Sequence, residues 1–155
     1  MTGLRYWDSS CFIAWFNEEA ERVEACEGVV QEARAGDIRI LTSAITLTEV
    51  IKPAKTGTLA VYRNKDEDIN RFFEQPFVVV RNADRAVCEE ARRLIWQHRH
   101  LNRNDAIHVA TAMLTGNVLA LDTFDDDMLR IDGIGNPPLK IGRPDVPFQP
   151  QLEEP

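Results

Sequence analysis

Residues 103–127 read RNDAIHVATAMLTGNVLALDTFDDD. A lone acid, Asp105, stands at the mouth of an apolar helical run. Gly116-Asn117 breaks that run, and the apolar strand Val118–Leu121 then empties into a cluster of acids. A carboxylate at a helix start and another past a strand end are two parts of a metal pocket in an α/β protein. The other parts must come from elsewhere in the chain.

Working back from this stretch, Asn82-Ala83-Asp84 offers a cap for a helix from Arg85 to about His98, with Ala86, Ala91, Leu94 and Ile95 inward. Asn104 or Asp105 caps the helix that follows. Phe77–Val80 (FVVV) is an unalternating apolar run, as in a strand covered on both faces. Before it lie a helix over Asp66–Phe73, a polar connection over Thr56–Asn64 and a helix bearing Glu49, which Pro53 ends or bends. Ile38–Leu41 reads as a strand. Residues 18–35 have helical period, with small or apolar positions at 20, 23, 26, 30 and 33 and glutamates on a solvated face. At the start, the aromatic-rich Leu4–Trp7 reads as a strand that runs straight into Asp8-Ser9-Ser10 and a helix over Cys11–Phe16.

Four short strands alternating with helices predict a three-layer α/β/α domain around a mostly parallel sheet of four or five strands. The domain is expected over 1–136. Residues 137–155 hold six of the eight prolines and read as an extended or mobile tail, with one edge strand at Leu139–Ile141.

The net charge of −7 speaks against a generally basic nucleic-acid binder. Its distribution reopens the question, because 92–103 (RRLIWQHRHLNR) carries four arginines, two histidines and no acid. No run approaches the roughly 18 apolar residues of a membrane span, and MTGLRYWDSS shows no secretory signal. Cys11, Cys26 and Cys88 are unpaired in spacing and read as core packers, in keeping with a cytoplasmic protein. Trp7, Trp15 and Trp96 can stack on bases, although their apolar neighbours favour the core or a subunit interface.

Each acid has an ordinary alternative. Asp8 can cap the helix after it. Glu49 fits the capping box Thr46-Leu47-Thr48-Glu49. Together, however, Asp8, Glu49, Asp105 and the 122–127 acids fall at junctions along the carboxyl edge of a parallel sheet, where such folds bind ligands. Acids gathered there repel one another, and at least one takes up a proton unless a cation intervenes. Oxygen-only ligation favours Mg²⁺, with Mn²⁺ as its substitute. The chemistry to expect is hydrolysis of a phosphodiester by metal-activated water.

Four passages resemble PIN-domain ribonucleases, in particular the VapC-like toxins of type II toxin–antitoxin pairs. They are YWDSSCFIAWF at 6–16, TSAITLTEV at 42–50, RNDAIHVATAMLTG at 103–116 and LDTFDDDMLRIDG at 121–133. The resemblance implies that Asp8, Glu49 and Asp105 are the first three metal-binding, catalytic acids. Thr123-Phe124-Asp125 matches the family's last strand end, which selects Asp125 over Asp122 or Asp127. It further implies a Mg²⁺-dependent endoribonuclease, often homodimeric, inhibited by a separate antitoxin protein. Ser10, at the family's small polar position, would meet a metal water or phosphate, or else cap its helix. Arg99 and Arg103 are candidates for RNA phosphates. His108, one turn after Asp105, would orient that acid, touch RNA or pack in the core. His98 and His100, flanked by arginines, read as a solvated turn.

A phosphatase using Asp8 would want an acid where Ser10 stands, and a receiver-type switch would want paired acids and a late lysine. The remaining alternative is a non-catalytic PIN-like or receiver-like Mg²⁺-binding scaffold that acts through a protein partner.

Overall fold

The first strand, β1 (Gly3–Trp7), turns Tyr6 and Trp7 to opposite sides, and each of the two is fully buried in its own core. This alternation organises the molecule. The computed structural model describes residues 2–51 and 66–150. The connection expected at 56–64, the break at Pro53 and the end of the tail at 151–155 lie outside them.

Helices α1 (Ser9–Phe16) and α2 (Val23–Arg34) follow, then β2 (Ile38–Ser43) and the single turn α3 (Thr46–Glu49). After α4 (Asp66–Phe73) come β3 (Val78–Arg81), α5 (Arg85–Gln97), α6 (Arg103–Leu114), β4 (Val118–Asp122), α7 (Asp126–Leu129) and β5 (Ile141–Gly142). Among the described residues the sheet has five strands, in order β3-β2-β1-β4-β5, and every pairing is parallel. One core gathers Trp7, Phe12, Val29, Ile40, Phe72 and Phe73 under α1, α2 and α4. The other gathers Tyr6, Leu41, Leu94, Val109, Leu121 and Met128 under α5, α6 and α7. The expected three-layer α/β/α architecture is therefore present, with a sheet that is wholly parallel.

Some local expectations hold and others need correction. The FVVV segment lies in an edge strand, yet Val79 and Val80 pack on opposite cores, so its lack of alternation does reflect cover on both faces. The 18–35 helix starts only at Val23. Glu18 and Glu21 take positive φ (50° and 70°) in the turn before it, and Ala20 is exposed. In α5 it is Val87, not Ala86, that points inward. Asp84 caps that helix as expected, its carboxylate accepting from Val87 N at 3.0 Å. Cys11 and Cys26 are buried, but Cys88 is exposed, and so is Trp96 at 62%.

The proline-rich tail supplies β5 and then stays extended, docked on the molecule. Pro144 is buried, Val146 packs on the first core, and Gln149 N donates to Gln31 Oε1 at 3.2 Å. Its seat explains Gly28 in mid-helix, where glycine costs about 1 kcal/mol relative to alanine. A Cβ at Gly28 would stand 2.0 Å from Val146 O. Gly28→Ala is therefore expected to lower stability by about 1–3 kcal/mol, despite its better helix propensity. Thermal melting checks this, and a stabilised variant would show that the tail is not held there.

Candidate active site

The strand order reverses between β1 and β4, because β2 and β3 lie to one side of β1 while β4 and β5 lie to the other. Ligands bind at such a switch point, beyond the carboxyl ends of the strands. Asp8 directly follows β1 and Thr123 directly follows β4. Because α6 runs back to feed the start of β4, its N-terminus and Asp105 lie at the same edge. A hollow of about 530 Å³ opens there, lined by Asp8, Ser10, Glu49, Asn104, Asp105 and Asp125 among others. The four acids selected from the sequence thus surround one space.

Asp8 is buried and held by three donors. Its Oδ1 accepts from Ser10 Oγ at 2.6 Å and Cys11 N at 3.3 Å, and its Oδ2 accepts from Thr123 Oγ1 at 2.6 Å. It does cap α1, but the cap uses one oxygen only. Ser10 is not the cap. Its hydroxyl donates to Asp8 and accepts from Phe124 N at 3.1 Å, which joins the two loops. Thr123 adds a second bridge, since its Oγ1 also accepts from Asp125 N at 2.9 Å. Burial raises the Asp8 carboxyl above its ordinary value, while His108 and the hydroxyl donors act against that.

Glu49 makes no capping box. Residue Ile45 stands at the cap of α3 without a side-chain bond. The carboxylate instead accepts from His108 Nε2 at 2.7 Å and Asn104 Nδ2 at 3.3 Å. His108 therefore orients Glu49 and not Asp105, and being buried it is turned away from any RNA at the surface.

Neither Asn104 nor Asp105 caps α6. Asn102 does, accepting from Asp105 N at 2.8 Å. That frees the Asp105 side chain, which is buried, and its Oδ2 is the one buried side-chain polar atom without a hydrogen-bond partner among the described residues. Its carboxyl is raised to about 7, first by burial, then by the charge of Asp125 and, to a lesser degree, Asp8 and Glu49. Buried polar atoms are nearly always paired, so an unpaired carboxylate oxygen facing other acids fits a site that takes a cation or an ordered water.

Asp125 caps α7, with Oδ1 accepting from Asp127 N at 2.8 Å and Met128 N at 3.3 Å. Asp105, Asp125 and Asp127 each bring a carboxylate oxygen within 4.8 Å of the others. Asp127, which the sequence offers as an alternative to Asp125, stands beside it in this triplet. Asp8 and Glu49 stand back from this triplet because their oxygens are already turned to hydroxyl, amide and imidazole donors.

Asp122 is neither a ligand candidate nor a solvent-facing turn residue. It is buried and accepts from Arg5 Nε at 2.9 Å, Arg5 Nη2 at 2.6 Å and Trp7 Nε1 at 3.1 Å. Arg103 lines the hollow. Arg99 does not, and its guanidinium lies 5.1 Å from the centre of the Trp96 ring. His100 Nε2 meets the Asp127 carbonyl at 3.1 Å, so the 98–100 turn is tied down rather than freely solvated.

The donor set suits a hard divalent cation: all the unclaimed ligand atoms are carboxylate oxygens, and one of them is buried and unpaired. Comparison with known proteins agrees with the placement of the fold. No curated protein matches the chain significantly in sequence. The crystal structure of the VapC20 toxin of Mycobacterium tuberculosis, described as sarcin–ricin loop cleaving, has a similar fold, with a TM-score of 0.58 at 16% identity. The match covers 81% of this chain and 93% of that one. The family model described as PIN domain matches residues 5–134, taking in all four passages quoted above, and the chain belongs to the PIN-domain family.

Proposed function

We propose that this protein is a metal-dependent endoribonuclease and acts as the toxin of a toxin–antitoxin pair. The observation that carries the reading is the buried, unpartnered Asp105 Oδ2, set among acids at the switch point of a PIN-family sheet. Asp105 and Asp125 would hold Mg²⁺, with Mn²⁺ able to replace it, and Asp8, Glu49 and Asp127 would complete its surroundings. When bound, such an ion supplies charge neutralisation at the phosphodiester and a lowered pKa for the attacking water.

The residues of the chain do the positioning. Thr123 and Ser10 fix the 123–125 loop against Asp8, so the acids after β1 and β4 keep their spacing. Asn102, by capping α6, keeps the Asp105 carboxylate out of the helix terminus and in the hollow. Arg103, on the rim, is placed to hold an RNA phosphate, a contact independent of sequence. The RNA named for VapC20 belongs to that protein, and RNA as a class is what is proposed here.

A separate antitoxin protein, a homodimeric state and a cytoplasmic location complete the proposal by analogy with the family. Among the described residues no helix is long and apolar enough to cross a membrane. Purified protein is expected to cut RNA with Mg²⁺ or Mn²⁺ and to stop when EDTA is added. Cleavage that survives the chelator would overturn the metal mechanism. Metal binding without any cleavage would instead favour the scaffold that acts through a partner.

A further inference from the structure

We propose that Tyr6 and His108 form a buried positioning relay that holds Glu49 at the acid hollow. The idea rests on reading that hollow as a metal site. Glu49 needs such support, since it ends α3, a single four-residue turn without a side-chain cap. A helix that short has no stability of its own, and immobilising a glutamate side chain costs rotamer entropy.

The support comes from the elements that carry the other acids. His108 lies one turn after Asp105 on α6 and is 1% exposed. Its Nε2 meets Glu49 Oε1 at 2.7 Å, and its Nδ1 meets the Tyr6 hydroxyl at 2.5 Å. Tyr6 is fully buried and stands two residues before Asp8. The rings meet edge to face, with centroids 5.7 Å apart. A carboxylate can only accept, so Nε2 carries the proton toward Glu49. In a neutral imidazole Nδ1 is then the acceptor of the Tyr6 O–H. Tyr6 thus pairs with the ring nitrogen that Glu49 does not use and fixes the orientation in which Nε2 reaches the carboxylate.

A histidine needed only for packing would not require this arrangement. His108 shares the buried part of α6 with Asp105, Ala106, Val109, Ala110, Thr111 and Ala112. Burying an imidazole costs free energy unless both nitrogens are paired. Here both are, and one is paired with a carboxylate that lines the hollow. Through the chain Tyr6–His108–Glu49, the position of Glu49 is set by β1 and α6, the same two elements that fix Asp8 and Asp105.

The test is Mn²⁺ titration calorimetry on the full chain, with the melting temperature of each variant recorded without metal. His108→Leu is expected to weaken Mn²⁺ affinity about 10- to 100-fold, the range for loss of a residue that orients a metal ligand. His108→Gln, whose amide nitrogen can still reach the carboxylate, should recover most of it. Tyr6→Phe should weaken affinity by a smaller factor in the wild type and by nothing further alongside His108→Leu. That double variant leaves no unpaired hydroxyl or imidazole, so it remains informative if His108→Leu alone fails to fold. Wild-type affinity in the double variant and in Tyr6→Phe would overturn the relay alone, provided Asp105→Asn abolishes binding. No Mn²⁺ binding by the wild type would overturn the metal reading and the relay with it.

Discussion

Replacing Asp105 by asparagine is expected to reduce RNA cleavage about 10³-fold or more, equivalent to about 4 kcal/mol of barrier, while making the metal-free protein more stable at neutral pH. The two effects have one cause. Asp105 is buried, its Oδ2 has no partner, and its carboxyl is raised to about 7, mainly by burial and then by Asp125. Below pH 4 the folded and unfolded forms are both protonated at this residue, and it contributes no pH dependence. Between about pH 4 and pH 7 the unfolded chain has released a proton that the fold still holds. Wild-type stability therefore falls as pH rises through that window and levels off above it. Asparagine does not titrate, and with the shift discounted by about half for solvent screening of the carboxyl the variant should gain about 2 kcal/mol over the wild type at pH 8, or about 5 °C in melting temperature, and almost nothing at pH 4. Adding Mn²⁺ should reverse the order, because only the wild type gains stability by binding it. Melts at pH 4 and pH 8, with and without Mn²⁺, check all of this. A variant that is less stable at pH 8 without metal would make Asp105 a structural acid, and one that still cleaves RNA would remove it from the chemistry.

That residue also shows where reading the sequence succeeds and where it stops. The elements were legible because their periods are clean: α4 runs over Asp66–Phe73 as expected, and the strand and helix on either side of Gly116 are both present. The junction acids were legible because chain order fixes which ends of parallel strands share an edge. Caps were harder. Asn102, Asn104 and Asp105 are all good capping residues, and only the start of the helix decides between them. Sequence also left Glu49 a capping box as the alternative to the acid site, since it cannot show that His108, 59 residues later, takes the same carboxylate. The tail read as extended or mobile from its prolines, but its docking was not legible, because the seat is made by Gly28 in α2, more than 100 residues earlier. Asp122 looked like a member of an acid cluster because its partner, Arg5, is 117 positions away.

Asp122 and Asp125 are expected to fail in opposite ways when each is changed to asparagine. In Asp122→Asn the half-buried Arg5 guanidinium loses the negative charge beside it and one of the two oxygens that accept from its Nε and its Nη2. Asp145 still meets Nη2 from the surface, but the new amide nitrogen is a donor set against the Arg5 and Trp7 donors. Leaving one partner of such a pair uncompensated costs about 3 kcal/mol, so the melting temperature should fall by about 10 °C. Metal affinity should change little, because Asp122 turns to Arg5 and Trp7 and does not line the hollow. Asp125→Asn should leave stability within about 0.5 kcal/mol, since asparagine caps a helix as well as aspartate does, and its carbonyl can still accept from Asp127 N and Met128 N. What it loses is charge beside Asp105, the second cause of that carboxyl's raised pKa. Mn²⁺ affinity should drop about tenfold or more, and the pH 4 to 7 loss of stability should become shallower. Calorimetry and melting of the two variants side by side separate the roles. The reverse order, with Asp122→Asn costing affinity and Asp125→Asn costing stability, would move the metal site to the Arg5 side of β4 and overturn the assignment of Asp125.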